Sequence, residues 1–488
     1  MNKMKLFALA VLPALGFGSA LAVAQDNRSP EQLTPQQPVP SKTEPVPPGS
    51  FKPQGRIIVP LSSNTKGVHT NTEIFVPAGR PISTPVADFT FAETPASIGC
   101  VYNVEPITLK STGCNASTLG NHEHPSGGWG AIAVVDAFDD PNITSDLAFF
   151  DQSYGLPTAN VTVVYANSSF GTLGGGFGPT LTASCSGVPQ NGNFLGWDLE
   201  ESLDAEWAHV MAPSAKIIVV EACTQNLEDL LYAEVVAGIE VSNAGGGDIS
   251  NSWGYPESCV GNDNCGSGEN GGPYTQVQDD NFLYRYYWSE ITYFASAGDS
   301  GSEVLFPSAS PWVVSVGGTT INRDSSGNYQ NESCWSDSGG GPSTVEAWQS
   351  PPNIEDGMGP WSAYQYPLYG QSNRTTPDIS FDADPNSGVY VYDTDGTCDG
   401  FCIVGGTSVG SPSVAGLVNS SNNRLGQAPA GGGSYAATED NFLYSQLFTH
   451  TAYSANFYDV TTGSNGHAAG PGYDQCTGIG SPRGHLGK

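Results

Sequence analysis

Short, nearly uniform apolar runs alternate with stretches of helical spacing along most of this chain. Ala131–Val135, Val161–Tyr165, Lys216–Val220, Ile249–Trp253, Ile291–Ala295 and Trp312–Val316 read as short buried strands. Between them Ser145–Tyr154, Trp197–Met211 and Leu227–Val241 carry apolar residues at helical spacing. A strand apolar at every position is covered on both faces, so the pattern predicts an α/β fold: a mostly parallel, doubly wound sheet with helices on both faces. Sites in such folds lie at the carboxyl ends of the strands. Asp136, Asn251, Asp299 and the turn carrying Ser408 all fall at such ends.

The first residues follow another rule. A basic start, Met1 to Lys5, precedes an apolar run from Leu6 to Val23, and Ala22-Val23-Ala24 forms a small-x-small cleavage site before Gln25. This predicts a signal peptide over 1–24 and a secreted product, extracellular or periplasmic. Residues 25–93 form the next division. Up to about residue 56 they are rich in Pro, Gln and Ser, the composition of an extended segment. Beyond that come strand-like runs, Arg56–Val59 and Glu73–Val76, readable as a short pro-region or an N-terminal embrace. The compact domain is expected from Thr94, spanning 94–488. No later stretch is apolar for long enough to predict a membrane span.

Charge narrows the possible partners. Acidic residues number 48 against 16 basic ones, for a formal charge of −32. Nucleic acid, bound mainly through Lys and Arg on phosphate, is therefore not an expected partner, and neither is an anionic membrane surface. Only 13% of residues are charged, so the bias comes from missing bases. Such a chain loses charge in acid instead of accumulating positive self-repulsion; solubility at neutral pH is the other use of the same composition. Ten cysteines behind a signal peptide suggest disulfides. Cys100/Cys114, Cys259/Cys265 and Cys398/Cys402 are near neighbours able to pair, although sequence leaves the connectivity open. No zinc-type CxxC spacing occurs.

Candidate chemistry lies in four places. Val404-Gly405-Gly406-Thr407-Ser408 brings an apolar approach to two glycines and a Thr-Ser pair, followed by small residues of helical potential. A serine at such a turn has an exposed hydroxyl and an amide at a positive helix end, which suits a nucleophile, although Gly-Gly-Thr-Ser is also an ordinary loop. On the helix from Trp197, Glu200 and Asp204 lie about 40° apart, on one face. Such carboxylates repel unless they share a proton, which lets one stay ionised in acid as a general base; a solvated acidic face is the duller alternative. Glu201 lies close to the face of Asp204, so the register within the pair stays open. Asp299, after Tyr293–Ala297 and Gly298, can donate a hydrogen bond to an oxyanion when protonated, or simply cap a turn. Near the end, Asp459 and the Gly470-Pro471-Gly472-Tyr473-Asp474 turn offer hard oxygen donors suited to Ca²⁺. His209 lies about 180° from Glu200 on an ideal helix and so is poorly placed as a rival base. His122 and His124 sit in a loop without supporting pattern.

Glu200-x-x-x-Asp204, Ala297-Gly298-Asp299-Ser300-Gly301 and Gly406-Thr407-Ser408 occur in this order, followed by the Asp459 and Gly470–Asp474 tail. Ala212–Lys216, Ser250–Gly254, Thr376–Pro385 and Cys476–Pro482 accompany them. From about residue 94 onward the chain resembles the sedolisins, serine-carboxyl peptidases related to subtilisin. The resemblance implies a subtilisin-like fold and polypeptide substrates for a secreted, acid-acting endopeptidase, expected to be a monomer. It makes Ser408 the nucleophile, Glu200 the general base, Asp204 the residue orienting Glu200, and Asp299 the oxyanion donor alongside the Ser408 N–H. It assigns one Ca²⁺ to the carboxylates of Asp459 and Asp474 and the carbonyls of Val460, Gly470 and Gly472. Two departures stand out: sedolisins usually carry a long folded pro-region, whereas about seventy residues stand here, and Asp136 occupies the place of a subtilisin triad aspartate without the His-Gly-Thr helix start that should accompany it. The rivals are a neutral serine hydrolase with a histidine base, and an inactive binding protein on the same scaffold.

Overall fold

The computed structural model describes residues 52–80, 92–104, 113–119, 123–174, 180–259, 283, 291–347, 373–396, 398–421, 439, 442–444, 446–447 and 450–486. They belong to one compact unit, Ser41–Lys488. The signal peptide expected over 1–24 lies outside the described residues, as does His122.

Eight strands form the central sheet: β1 (Ala131–Ala137), β2 (Asn160–Ala166), β3 (Lys216–Ala222), β4 (Gly247–Asn251), β5 (Ile291–Ser296), β6 (Val314–Arg323), β7 (Tyr329–Cys334) and β8 (Ile379–Asp382). The order across the sheet is β7-β6-β5-β4-β1-β3-β2, with β8 also pairing β6. All pairings are parallel except β6 with β7. The chain leaves β1 for one side of the sheet and returns for β4 on the other, which makes the β1/β4 boundary a switch point, where α/β folds place their ligands.

Uniformly apolar strands arise because both faces are covered. In β1 and β3, Ile132, Val134, Ile217 and Val219 enter one core with Leu147, Phe150, Leu203, Trp207, Val414 and Leu417. Their neighbours Ala133, Val135, Ile218 and Val220 enter a second core with Leu230, Leu231, Val235 and Val236. Helices α1 (Ile143–Tyr154), α2 (Trp197–Met211) and α4 (Thr407–Ser420) thus cover one face, and α3 (Leu227–Asn243) the other. Each fully buried aliphatic side chain contributes about 1.5–3 kcal/mol, and a one-residue slip would exchange the faces, so the register is strongly fixed.

Two differences from the sequence pattern concern strand ends. The apolar run Ile249–Trp253 is two strands: β4 ends at Asn251 and a separate strand, Trp253–Pro256, leaves the sheet. The run from Trp312 begins its strand only at Val314 and continues to Arg323, where polar residues pair with β7.

The N-terminal runs are built into the body. His69–Thr70 pairs antiparallel with Trp253–Pro256. Glu73–Pro77 pairs antiparallel with both Gly55–Ile58 and Gly400–Gly405, the strand that feeds α4. Disulfides join Cys100–Cys114 and Cys398–Cys402, as the spacing suggested, and also Cys185–Cys223 and Cys334–Cys476. The remaining expected pair includes Cys265, which lies outside the described residues.

Candidate active site

Strand Gly400–Gly405 meets α4 at Gly406, whose φ of +106° is open to glycine and strained for other residues. A Cβ there would collide with the Asn71 carbonyl oxygen and with Asp299 Oδ2. This turn sets Ser408 in the first turn of α4, with its N–H unclaimed by the helix. That N–H donates to the Asn71 carbonyl at 3.1 Å. The Ser408 hydroxyl donates to the Ser252 carbonyl at 3.2 Å and accepts from the Asn71 N–H at 3.2 Å.

Helix α2 supplies the acids. Glu200 Oε2 accepts a hydrogen bond from the Thr72 hydroxyl, while Asp204 Oδ1 accepts from the Ser252 hydroxyl at 2.7 Å. Burial raises both carboxyls well above the usual carboxylate range, and the Asp136 carboxyl raises them further. Asp136, near the end of β1, is fully buried; among the described residues neither of its oxygens has a hydrogen-bond partner, and burial pushes it up to about 8. Hydroxyls of Ser408 and Thr72 favour the ionised form of Glu200, against that trend. The Ser252 hydroxyl acts in the same sense on Asp204, whereas Asp136 has burial as its cause and no such bond to offset it.

Glu201 faces elsewhere. Burial raises it, with the Glu221 carboxyl the next cause, among Asp140, Asp136 and Asp198. The structure thus brings Glu200 and Asp204 to Ser408 and leaves Glu201 with a different acidic group.

Asp299 closes the opposite side. Its Oδ1 accepts from the Thr407 N–H and hydroxyl, both at 2.8 Å, and the Thr407 hydroxyl accepts from the Gly298 N–H at 3.1 Å. As a residue Asp299 keeps partial exposure, but its Oδ2 is sealed from solvent and has no hydrogen-bond partner among the described residues. Burial, offset by the bonds from Thr407, leaves this carboxyl raised to about 7. In acid Oδ2 carries a proton and becomes a donor beside the Asn71 carbonyl oxygen.

Histidines stand apart. His209 is fully buried, donates from Nε2 to the Pro157 carbonyl at 2.8 Å, and has its pKa lowered by burial. Among the described residues no histidine is hydrogen-bonded to Ser408.

The C-terminal carboxylates accept bonds from their own turn. Asp459 Oδ1 accepts from the Gly472 N–H at 3.0 Å, and Asp474 accepts from the N–H groups of Gly470 at 2.9 Å and of Cys476 and Thr477 at 2.8 Å. The Val460 carbonyl accepts from the Thr477 hydroxyl at 3.5 Å. Among the described residues no group of three or more His, Cys, Asp or Glu is placed to hold a metal. The carboxylates of Asp459 and Asp474 and the carbonyls of Val460, Gly470 and Gly472 are hard oxygen donors, the type of ligand that Ca²⁺ takes.

Asn71 and Thr72, which touch Ser408 and Glu200, carry no motif visible in sequence. Ser252 lay within Ser250–Gly254, without a stated role.

The sequence matches the subtilase family over residues 180–473, and the chain belongs to that family of peptidases. Within it, the chain is a member of the sedolisins. It is 30% identical over 342 residues to kumamolisin from Bacillus sp. (strain MN-32), covering 64% of this chain and 55% of that protein. It is 29% identical over 223 residues to sedolisin from Pseudomonas sp. (strain 101), covering 39% and 33%. The chain thus spans about half or less of the length of these relatives. The solved structure of Pseudomonas sedolisin complexed with pseudo-iodotyrostatin covers 81% of this chain and 96% of its own at a TM-score of 0.55 and 22% identity, a likeness of fold.

Proposed function

We propose that this chain is a secreted, acid-acting serine-carboxyl endopeptidase that hydrolyses polypeptides through an acyl-enzyme on Ser408. The observation that carries this reading is the meeting of a peptide carbonyl, that of Asn71, with the Ser408 N–H beside the Asp299 carboxyl. Glu200 takes the Ser408 proton as the hydroxyl attacks and returns it to the leaving amine. Asp204, tied to Ser252, holds Glu200 in place. Protonated Asp299 and the Ser408 N–H bind the oxyanion. A carboxylate base and a carboxylic acid donor together require acid: as pH rises through about 7, Asp299 ionises and repels the charge it should stabilise.

Residues 1–24 serve as export signal, 25–93 as pro-region and 94–488 as peptidase domain in this reading. Placement of residues 69–72 across Ser408 supports the pro-region. Four disulfides among the described residues fit an oxidising compartment. No helix among the described residues is long and apolar enough to cross a membrane.

Digestion of a denatured protein across pH, with products read by mass spectrometry, tests the reaction. Wild type is expected to cut in acid and to lose activity towards neutral pH. Ser408→Ala, Glu200→Gln and Asp299→Ala should each lose at least about 100-fold in kcat while remaining folded by circular dichroism. Unchanged turnover by a Ser408/Glu200/Asp204 triple alanine variant would reject the assignment. A profile with a neutral optimum would favour a histidine base instead.

Ca²⁺ at Asp459, Asp474 and the carbonyls of Val460, Gly470 and Gly472 would neutralise two carboxylates and pin the C-terminal turn. Chelation should lower the melting temperature by at least about 2 °C. An Asp459→Asn variant, already lacking the site, should show no further shift in the same scan.

A further inference from the structure

A second group of acids adjoins the catalytic one. Asp136 and Glu221 are register partners on β1 and β3, and Glu221 and Tyr165 on β3 and β2. Partners on neighbouring strands stand about 4.8 Å apart and point to the same face. Val134, Val219 and Val163, two residues back, all lie towards the core that α2 covers, so the three polar side chains form a row beneath that helix. Glu201 of α2 joins the row from above, with Asp198 of the same helix and Asp140, just after β1, beside it.

Asp136, Glu201 and Glu221 are fully buried, and among the described residues no N–H or hydroxyl bonds either oxygen of any of them. The charged neighbours that act on Glu201 and Glu221 are carboxyls throughout. With neither a base nor an outside donor, such groups are satisfied only by holding protons between them. The row has two ends. At the inner end Asp136 acts on Glu200 and Asp204 as well as on Glu201 and Glu221. At the outer end the Glu221 carboxyl and the Tyr165 hydroxyl both bond Asp139, and Asp139 and Tyr165 are part-exposed.

Glu200 needs such an outlet. With residues 69–72 across Ser408 it is fully buried. Burial also raises its carboxyl, so that in acid it tends to hold a proton. A protonated Glu200 cannot accept the Ser408 proton, and a peptide filling the cleft bars the direct way to water.

We infer that Glu201 and Glu221 relay the Glu200 proton to water beneath a filled cleft, by way of Asp136 at the inner end and Asp139 at the outer. The inference rests on the serine-carboxyl reading above and goes beyond it in assigning a use to acids outside the cleft. One proton passes from the Glu200 carboxyl to Asp136. Each carboxyl along the row accepts a proton on one oxygen and releases one from the other, and Asp139 delivers one to water. Only O–H bonds break and form, and Glu200 is left ionised and ready for Ser408. Glu201 and Glu221 touch no substrate; they act through Glu200.

The test is kcat and KM on a peptide substrate in acid, measured in H₂O and in D₂O, with folding followed by circular dichroism. Glu221→Gln keeps the shape of a protonated acid but breaks the relay. Glu221→Asp keeps a transferable proton and loses one methylene. The Gln variant should lose about tenfold or more in kcat at unchanged KM and show a larger solvent isotope effect, while melting no lower than wild type. Glu201→Gln should behave alike, and Glu221→Asp should keep more of kcat than Glu221→Gln. A purely structural role predicts the reverse order, with Gln close to wild type and Asp the poorer enzyme, and that order overturns the inference. Should Glu221→Asp fail to fold, the isotope effect of Glu221→Gln decides: a value equal to that of wild type overturns it. Wild type that digests protein in acid while Glu221→Gln keeps its full kcat overturns the relay and spares the reading it rests on. Wild type inactive in acid overturns both.

Discussion

Gly406 links three parts of the site through one missing side chain. Its positive φ turns the strand into α4, and its bare Cα lets the Asn71 carbonyl and Asp299 Oδ2 come together over Ser408. Gly406→Ala would strain the backbone by about 1–3 kcal/mol and drive a methyl group between those oxygens. The expected result is a loss of about 100-fold or more in kcat/KM, read on a peptide substrate, with a lowered urea midpoint. At this scale much was legible beforehand. Helical geometry put Glu200 and Asp204 on one face without any tertiary knowledge. It left Glu201 in contention, because angular spacing says nothing about what each face meets; packing decides that by giving Glu200 hydroxyl donors and setting Glu201 among other carboxyls. Asn71 and Thr72 carried no signal, since a short polar pair acquires meaning only from the cleft into which it is threaded.

Helices α2 and α4 carry the base and the nucleophile, so their separation sets the distance between them. They pack closely where Gly416 faces α2: an added Cβ would lie 2.7 Å from Met211 Cβ and 2.8 Å from the Ala208 carbonyl oxygen. Gly416→Ala should push the helices apart by a few tenths of an ångström, costing about 1–3 kcal/mol of stability in urea unfolding. If the helix spacing positions Glu200 against Ser408, kcat falls about tenfold with little change in KM. Existence and type of these elements were readable from apolar spacing, and their ends less so. Trp253 continues an apolar run, yet the chain leaves the sheet after Asn251, and Ser252 bonds instead to Asp204, to the Ser408 hydroxyl and to the Asn71 N–H. The strand character of Glu73–Val76 was visible; its pairing with Gly400–Gly405 was not, because that joins it to residues more than three hundred positions away.

Across the whole molecule, buried carboxyls outnumber the bases available to pair with them. Burial is the leading cause that pushes Asp136 and Asp140 up to about 8, and Asp198 and Asp299 to about 7, from an ordinary value of 3.8. A folded-state value above the unfolded one means that the native chain binds more protons, so the contribution to stability is complete below about pH 4 and is lost as pH rises through the folded values. Melting temperature should therefore fall steadily between about pH 4 and pH 8, as followed by circular dichroism. A maximum near neutrality would contradict it. The acidic composition left two uses open, solubility or life in acid, since a count of charges does not say which are buried. What the sequence alone determined is the layered α/β plan and the order of the candidate groups along it, because strand and helix periodicities and glycine turns are local properties of the chain. The tertiary structure alone decided which acids share a dry pocket, and that residues 69–72 lie across Ser408: both depend on contacts between distant segments, where burial and hydrogen bonding, rather than spacing, set the outcome.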